Sequence, residues 1–203
     1  MPVSHNFVER PSDITELERG LLPQRPHSQQ SQRCKIFVLY GLGGIGKTQL
    51  AADFARRHQA TFSSVFWLDG RSEDRLRQSI ASCATRIPKG QIPDRSRKSV
   101  PSSENDLDIM VVDVLDWLAR PDNTEWLLIF DNVDQSHGQG GATGVYDVQR
   151  YLPGDHGSAL ITTRLSRLAQ LGNSKRLAKV DLDLGKAIFQ QWYGAKLGIS
   201  LPV

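Results

Sequence analysis

The chain has 203 residues, of which 39% are hydrophobic and 23% are charged. This composition excludes a disordered protein, because the chain can bury a core, and the length fits one domain or one domain with a short appendage. Lys and Arg together number 25 against 22 Asp and Glu, a net charge of +3. A surplus this small does not indicate nucleic-acid binding, and no nucleic acid is expected among the partners.

The sequence shows no membrane segment and no secretory signal. The longest apolar runs, residues 36–40 and 126–130, fall far short of the roughly 20 residues that span a bilayer, and no apolar block follows a basic start at the N-terminus. Cys34 and Cys83 are the only cysteines, too few for a disulfide framework. The histidines are scattered singly, which argues against a transition-metal site. We therefore expect a cytoplasmic protein.

The predicted elements begin after an N-terminal segment, residues 1–19, and a Pro-, Gln- and Ser-rich flexible linker, residues 20–33. Apolar runs rich in β-branched and aromatic residues predict strands at 35–40, 64–69, 126–131, 159–163 and 174–182. Apolar residues at helical spacing predict helices at 48–58, 72–85, 106–119 and 185–193. Strands alternating with helices indicate an α/β domain, residues 34–194, whose parallel sheet is covered on both faces. Residues 195–203 form a C-terminal tail.

Two segments interrupt this alternation. Residues 87–103 are rich in Pro, Ser and Arg, and residues 135–144 are rich in Gly; both are predicted to be exposed loops. The basic cluster at 95–98 is therefore expected to lie on a solvated loop. The tryptophans sit in or beside apolar periodic segments, which indicates core or domain contacts for Trp67, Trp117, Trp126 and Trp192.

The clearest chemical motif is residues 41–48, Gly-Leu-Gly-Gly-Ile-Gly-Lys-Thr, which match G-x-x-x-x-G-K-[ST] between a predicted strand and a predicted helix. The glycines let successive N–H groups converge on phosphate oxygens at the positive end of the helix. Lys47 adds a charge for the β- and γ-phosphates, and the Thr48 hydroxyl is placed to ligate Mg²⁺. The candidate binding residues of this loop are Gly41, Leu42, Gly43, Gly44, Ile45, Gly46, Lys47, Thr48 and Gln49.

The second half of such a site is expected at the carboxyl end of another parallel strand. Asp131 ends the apolar strand 126–131 and is predicted to hold Mg²⁺ through water beside Thr48. Asn132 follows it and has no basic group, which argues against rapid hydrolysis. Asp134 is a candidate for a partial replacement of that base and, alternatively, a turn former.

A third candidate, Arg164, follows the fourth predicted strand. An arginine that projects from this edge of the sheet toward a phosphate site can stabilise or sense the charge of a γ-phosphate. Asp131, Asp134 and Arg164 are therefore the candidate catalytic residues.

Taken in chain order, residues 41–50, 126–134 and 157–164 resemble the Walker A loop, the Walker B strand and the sensor strand of the NB-ARC type of STAND ATPase, found in fungal NOD-like receptors. Residues 7–10, Phe-Val-Glu-Arg, are similar to the Phe-Val-Gly-Arg element of that family, which holds adenine. The resemblance implies that Phe7, Val8 and Arg10 are base-side contacts. Glu9 stands where the family has glycine.

The resemblance also implies a fold and a role. The fold is the P-loop NTPase three-layer sandwich with strand order 5-1-4-3-2, in which Arg164 faces the phosphates. The role is that of an ADP/ATP-binding signalling switch with Mg²⁺ and at most slow ATP hydrolysis, in which ADP holds an inactive form and ATP drives oligomerisation. The helical and winged-helix domains of full-length relatives are not expected in this sequence, so the partners are expected to be copies of itself or full-length relatives.

Two alternatives remain at this point. One is a stand-alone P-loop ATPase or kinase with real turnover, which needs a competent base near Asn132 or an acceptor pocket. The other is a truncated fragment that acts as a decoy or has no function. Nucleotide binding distinguishes the fragment from the switch, because a bound nucleotide stabilises only a folded site.

Overall fold

The computed structural model describes residues 8–23, 33–97, 101–135 and 146–178, together with residues 185, 186 and 189. Its strands are Lys35–Tyr40 (β1), Ser64–Asp69 (β2), Trp126–Asp131 (β3), Ser158–Thr163 (β4) and Asn173–Arg176 (β5). They pair in parallel in the order β2-β3-β4-β1-β5. Read from the other edge this is 5-1-4-3-2, so the predicted order is confirmed.

The predicted helices 48–58, 72–85 and 106–119 are present, with boundaries that differ by a few residues, and one further helix precedes β1. They are Pro11–Leu21 (α1), Lys47–His58 (α2), Glu73–Cys83 (α3) and Glu104–Leu118 (α4). Serines begin α3 and α4, because the Ser72 and Ser103 hydroxyls accept hydrogen bonds from backbone N–H groups in the first turn of each helix. Short 3₁₀ turns occupy Ala84–Arg86, Asp94–Arg97, Val148–Tyr151 and Ser166–Leu171.

Both faces of the sheet are covered, as the side chains of β3 show. Leu127 and Ile129 pack into an apolar cluster with α1 and α2. Leu128 and Phe130 alternate with them and pack into a second cluster with α3 and α4. The three-layer sandwich predicted for the chain is confirmed. Because the strands are parallel, the loops that follow them all lie at the carboxyl edge of the sheet.

Helix α1 was not predicted. Its Ile14, Leu17 and Leu21 are buried on one face, against the α2 side of the sheet, and Pro11 stands in its first turn, where a proline costs no hydrogen bond. Gly20, predicted to open the flexible linker, lies inside this helix, and a Cβ at that position would lie 2.5 Å from the Phe37 ring. The N-terminal segment therefore belongs to the same core as the sheet.

The prediction that residues 87–103 form an exposed loop is wrong in part. Ile87, Ile92 and Ser96 are buried, and Ser96 is the buried residue of the 3₁₀ turn Asp94–Arg97. Two polar contacts hold this segment, since the Ser96 hydroxyl donates to the Asp113 carboxylate and the Arg97 guanidinium donates to the Ile87 carbonyl. Arg97 of the basic cluster therefore binds the backbone of a buried residue. Residues 98–100, and 136–144 of the other predicted loop, lie outside the described residues.

The last predicted elements are only partly described. Strand β5 ends at Arg176 rather than at 182, and residues 179–182 lie outside the described residues. In the predicted helix 185–193, the described residues 185, 186 and 189 are helical. Trp117 and Trp126 are buried as predicted, Trp67 is partly buried against the α1 and α2 cluster, and Trp192 lies outside the described residues.

In the described part of the chain no helix has the length and apolar character needed to cross a bilayer. The same residues contain no group of three or more His, Cys, Asp or Glu side chains that could hold a metal ion. A single carboxylate with a hydroxyl ligand, as expected for Mg²⁺ beside a phosphate chain, is a different kind of site.

Both cysteines are predicted to be unreactive in the folded protein. They are free thiols, and burial raises the pKa of Cys34 and of Cys83 to about 12. Because the thiolate is the nucleophile, alkylation by iodoacetamide at pH 8 should be at least about 100-fold slower than for an ordinary exposed thiol. Mass spectrometry of native and guanidinium-unfolded samples measures this, and native alkylation as fast as that of glutathione would contradict it.

Candidate functional site

The loop between β1 and α2 forms one wall of an open cleft of about 700 Å³. Gly41, Gly44 and Gly46 have φ angles of +147°, +75° and +97°, which residues with a Cβ rarely adopt. Gly46 directly precedes α2, so the backbone N–H groups at the start of this helix lie at the loop. The residues that line the cleft are Gly43, Gly44, Ile45, Gly46, Lys47, Thr48, Gln49, Arg71, Asn132, Asp134, Gln135 and Arg164.

Lys47 lies beneath this loop and is 7% exposed. Its ammonium donates to the carbonyl oxygens of Gly41 and Leu42, both at 2.9 Å. Burial lowers the pKa of Lys47 below its ordinary value, and the nearby carboxylates of Asp134 and Asp131 oppose that shift. The cation is thus held inside the loop by neutral acceptors, and a phosphate oxygen is a stronger acceptor than either carbonyl.

Asp131 ends β3 and is 2% exposed. One carboxylate oxygen accepts hydrogen bonds from the hydroxyls of Thr48 (2.8 Å) and Thr162 (2.6 Å). The other accepts from the Asn132 amide at 3.0 Å. None of the ion pairs among the described residues involves Asp131. A buried carboxylate whose described partners are neutral donors, with a hydroxyl beside it, has the donor set for a divalent cation.

Asn132 turns the chain at the carboxyl edge of the sheet. Its φ is +63°, a left-handed conformation that asparagine tolerates better than most residues. The Thr162 hydroxyl accepts a hydrogen bond from its backbone N–H at 3.0 Å. Because the side chain is an amide that donates to Asp131, Asn132 supplies no base at this point.

The Asp134 carboxylate is the partner of Arg164. One oxygen accepts from the backbone N–H of Arg164 at 2.6 Å and the other from its guanidinium Nε at 2.7 Å. A Cβ on Gly43 would lie 3.8 Å from the Arg164 Cδ, so this arginine lies over the glycine loop. The sequence predicts that Asp134 is either a partial base or a turn former. In the structure Asp134 binds Arg164, a contact that neither prediction includes.

The N-terminal segment also reaches the glycine loop. The Arg10 guanidinium donates to the Ile45 carbonyl at 3.2 Å. Glu9 forms an ion pair with Arg57 at 2.7 Å, and Arg57 also pairs with the buried Asp53. Val8 is partly buried, and Phe7 lies outside the described residues. Of the three base-side candidates, Arg10 is the one that the structure places against the loop.

Arg71 and Gln135 line the cleft and were not singled out from the sequence. Arg71 stands two residues beyond Asp69, the last residue of β2. A polar residue at or just after the end of a parallel strand is the pattern that indicates Asp131, and Arg71 fits it too. The Asp-Gly-Arg turn matches no motif on its own, so the sequence gives no further signal for Arg71.

No protein-family model and no curated protein matches this sequence. Among solved structures, the chain is similar to Cdc6p from Pyrobaculum aerophilum with a TM-score of 0.56 and 12% identity, over 96% of this chain and 50% of that one. The structure of Drosophila ORC bound to GC-rich DNA and Cdc6 aligns at a TM-score of 0.43 and 15% identity, over 84% of this chain and 54% of that one, too low a score to carry an argument.

The first likeness concerns the fold alone, because only 12% of aligned residues are identical. The chain spans half of the length of that solved structure. Together with the sheet order and the glycine loop before α2, the likeness defines the class of fold: this is a P-loop NTPase-like α/β fold.

Proposed function

We propose that the chain is a nucleotide-binding P-loop module that takes ADP or ATP with Mg²⁺. The observation that carries the proposal is the 2.8 Å contact between the Thr48 hydroxyl and the Asp131 carboxylate. This contact joins the start of α2 to the end of β3, so Thr48 and Asp131 can act together as Mg²⁺ ligands beside Lys47. A nucleotide with Mg²⁺ needs the phosphate-binding loop and the Mg²⁺ ligands next to each other.

Each group of the site has a defined task in this proposal. The N–H groups at the start of α2 and the Lys47 ammonium bind phosphate oxygens, with Lys47 giving up its Gly41 and Leu42 carbonyl partners. Thr48 and Asp131 hold Mg²⁺, which when bound neutralises phosphate charge. Asp134, the one carboxylate that lines the cleft among the described residues, is held by Arg164. The arrangement therefore favours at most slow ATP hydrolysis over the turnover of an ATPase or kinase.

We further propose that the module is of the NB-ARC type and acts as part of a signalling switch in the cytoplasm, as in NOD-like receptors. The motif order along the chain supports this, as does the position of Arg164 over Gly43, suited to sensing a γ-phosphate. Phe7, Val8 and Arg10 are the proposed adenine-side contacts, with Arg10 already against the loop at Ile45. Its protein partners are proposed to be further copies of itself or full-length relatives.

Calorimetric titration with Mg-ADP, Mg-ATP and Mg-GDP tests the proposal. Both adenine nucleotides should bind, and at 100 times its Kd each should stabilise the fold by about 2.7 kcal/mol in thermal denaturation. Absence of both heat and stabilisation at millimolar nucleotide would overturn the binding proposal. Equal affinity for GDP would overturn the adenine assignment, and acid extraction of the purified protein identifies any nucleotide it retains.

The Mg²⁺ ligand role of Thr48 leads to a separate prediction. Thr48→Val keeps the side-chain shape and removes the hydroxyl, so ADP affinity should lose its dependence on Mg²⁺, whereas the unmodified protein should bind ADP about 10-fold more tightly with Mg²⁺ than with EDTA. Thr61→Val is the matched control, because Thr61 is exposed in the turn after α2. Full Mg²⁺ dependence in Thr48→Val would refute this role.

A further inference from the structure

The turn after β2 is fixed to the end of β3. The Gly70 backbone N–H donates to the Asp131 carbonyl at 2.7 Å, and the Gly70 carbonyl accepts from the Tyr146 hydroxyl at 2.6 Å. A Cβ at Gly70 would lie 2.6 Å from the Val133 Cγ2, so the two segments approach as closely as glycine allows. The next residue, Arg71, therefore directly follows a backbone contact with Asp131.

Asp69 orients the Arg71 side chain. Its two carboxylate oxygens accept from Arg71 Nε at 2.8 Å and Nη2 at 2.6 Å, and the first also accepts from the Arg71 backbone N–H at 3.2 Å. The Arg71 guanidinium holds the pKa of Asp69 down to about 2, so the pair stays ionised at neutral pH. Within the described ranges, Arg71 Nη1 donates to no residue. A guanidinium held on one edge keeps donors for a second anion.

The order of the strands places Arg71 across the cleft from the glycine loop. The loop follows β1, Arg164 follows β4, Asp131 ends β3 and Arg71 follows β2, in the order in which these strands lie in the sheet. Arg71 and Arg164 both line the cleft. Consider a phosphate chain that is bound at the loop and extends past Thr48 toward Asp131. Its terminal phosphate then points toward Arg71.

The charges of the cleft suit this position. Among the described residues that line the cleft, the cations are Lys47, Arg71 and Arg164, and each arginine is paired with a carboxylate, Asp69 or Asp134. A triphosphate carries more negative charge than a diphosphate, and the added charge lies on its terminal group. Arg71 lies at the far side of the cleft, and its Nη1 donates to no described residue, so it can stabilise that group and has little to contact in a diphosphate.

We propose that Arg71 is a specificity-determining residue that contacts the terminal phosphate of a nucleoside triphosphate, and that Asp69 is its positioning residue. This rests on the nucleotide binding proposed above. It gives the site a second arginine for distinguishing ATP from ADP, on the opposite side of Asp131 from Arg164.

The experiment is a calorimetric titration of Mg-ADP and of Mg-AMP-PNP, a non-hydrolysable triphosphate, into the unmodified chain, Arg71→Ala and Arg75→Ala. Arg75 is the matched control, because it also contacts Asp69, at 3.4 Å, and is similarly exposed, yet it does not line the cleft. Arg71→Ala should weaken AMP-PNP binding about 10-fold and ADP binding less than about 2-fold. Arg75→Ala should change neither affinity.

The ratio of the two affinities decides the outcome. An unchanged ratio in Arg71→Ala, or an equal loss for both nucleotides, would overturn the inference, because a purely structural role lowers both affinities together. Asp69→Asn should shift the ratio in the same direction as Arg71→Ala by a smaller factor, and an unchanged ratio there would remove the positioning role. If the unmodified chain binds neither nucleotide, the proposed function itself is wrong, a result distinct from an unchanged ratio.

Discussion

Lys47→Ala is expected to lower the affinity for Mg-ADP and Mg-ATP by about 10- to 100-fold. Lys47 is 7% exposed and lines the cleft beside the glycine loop. A hydrogen bond to a charged group contributes about 1.5–3 kcal/mol, and alanine removes this one without a replacement. Calorimetric titration measures the loss directly.

The matched control for Lys47 is Lys89→Ala, since Lys89 is exposed and lies away from the cleft. Thermal denaturation without nucleotide is measured for both variants, because Lys47 also bonds to the Gly41 and Leu42 carbonyls and its removal loosens the loop. Unaltered nucleotide affinity in a folded Lys47→Ala variant would show that any nucleotide binds elsewhere.

Gly157→Ala is expected to cost about 2–4 kcal/mol of the free energy of unfolding. Gly157 precedes β4 with a φ of +75°, and an added Cβ would lie 2.3 Å from the Trp126 indole. That ring cannot move aside easily, because it is fully buried and its N–H donates to the Leu118 carbonyl at 2.8 Å. Backbone strain and overpacking therefore add.

Gly90→Ala separates these two effects. Gly90 has a similar φ of +81°, and an added Cβ there would meet nothing within 4 Å. It should cost only the backbone strain, about 1 kcal/mol. Urea unfolding of both variants measures the difference, and equal costs would mean that the Trp126 contact is relieved by movement of the chain.

The sheet and the glycine loop could be predicted because their signals are local in sequence. Strand β3 is buried along its whole length and is apolar from residue 126 to 130, and the apolar centre of buried β4 covers residues 159–161. The glycine loop directly follows β1, whose residues 36–40 are also apolar or aromatic. The strand order came from the family resemblance, and the structure bears it out.

What sequence reasoning missed depends on contacts between distant segments. Helix α1 is short and mostly polar. Its few apolar residues are buried because they pack in one cluster with Phe37 and Leu39 of β1. The contact of Asp134 with Arg164 spans 30 residues, and the position of Gly70 depends on Asp131 and Tyr146. No local periodicity encodes these pairings, because tertiary packing brings them together.

Helix α1 also matters for where the folded unit can be cut. Lys175 pairs with Asp13 and Glu16 at 2.8 and 2.6 Å, Lys35 donates to the Leu22 carbonyl at 2.6 Å, and Arg10 holds the Ile45 carbonyl of the glycine loop. The change in composition at residue 20 therefore does not mark an edge of the domain. A shortened chain that starts at residue 34 would leave an apolar strip of the sheet open to solvent and leave the glycine loop without its Arg10 contact.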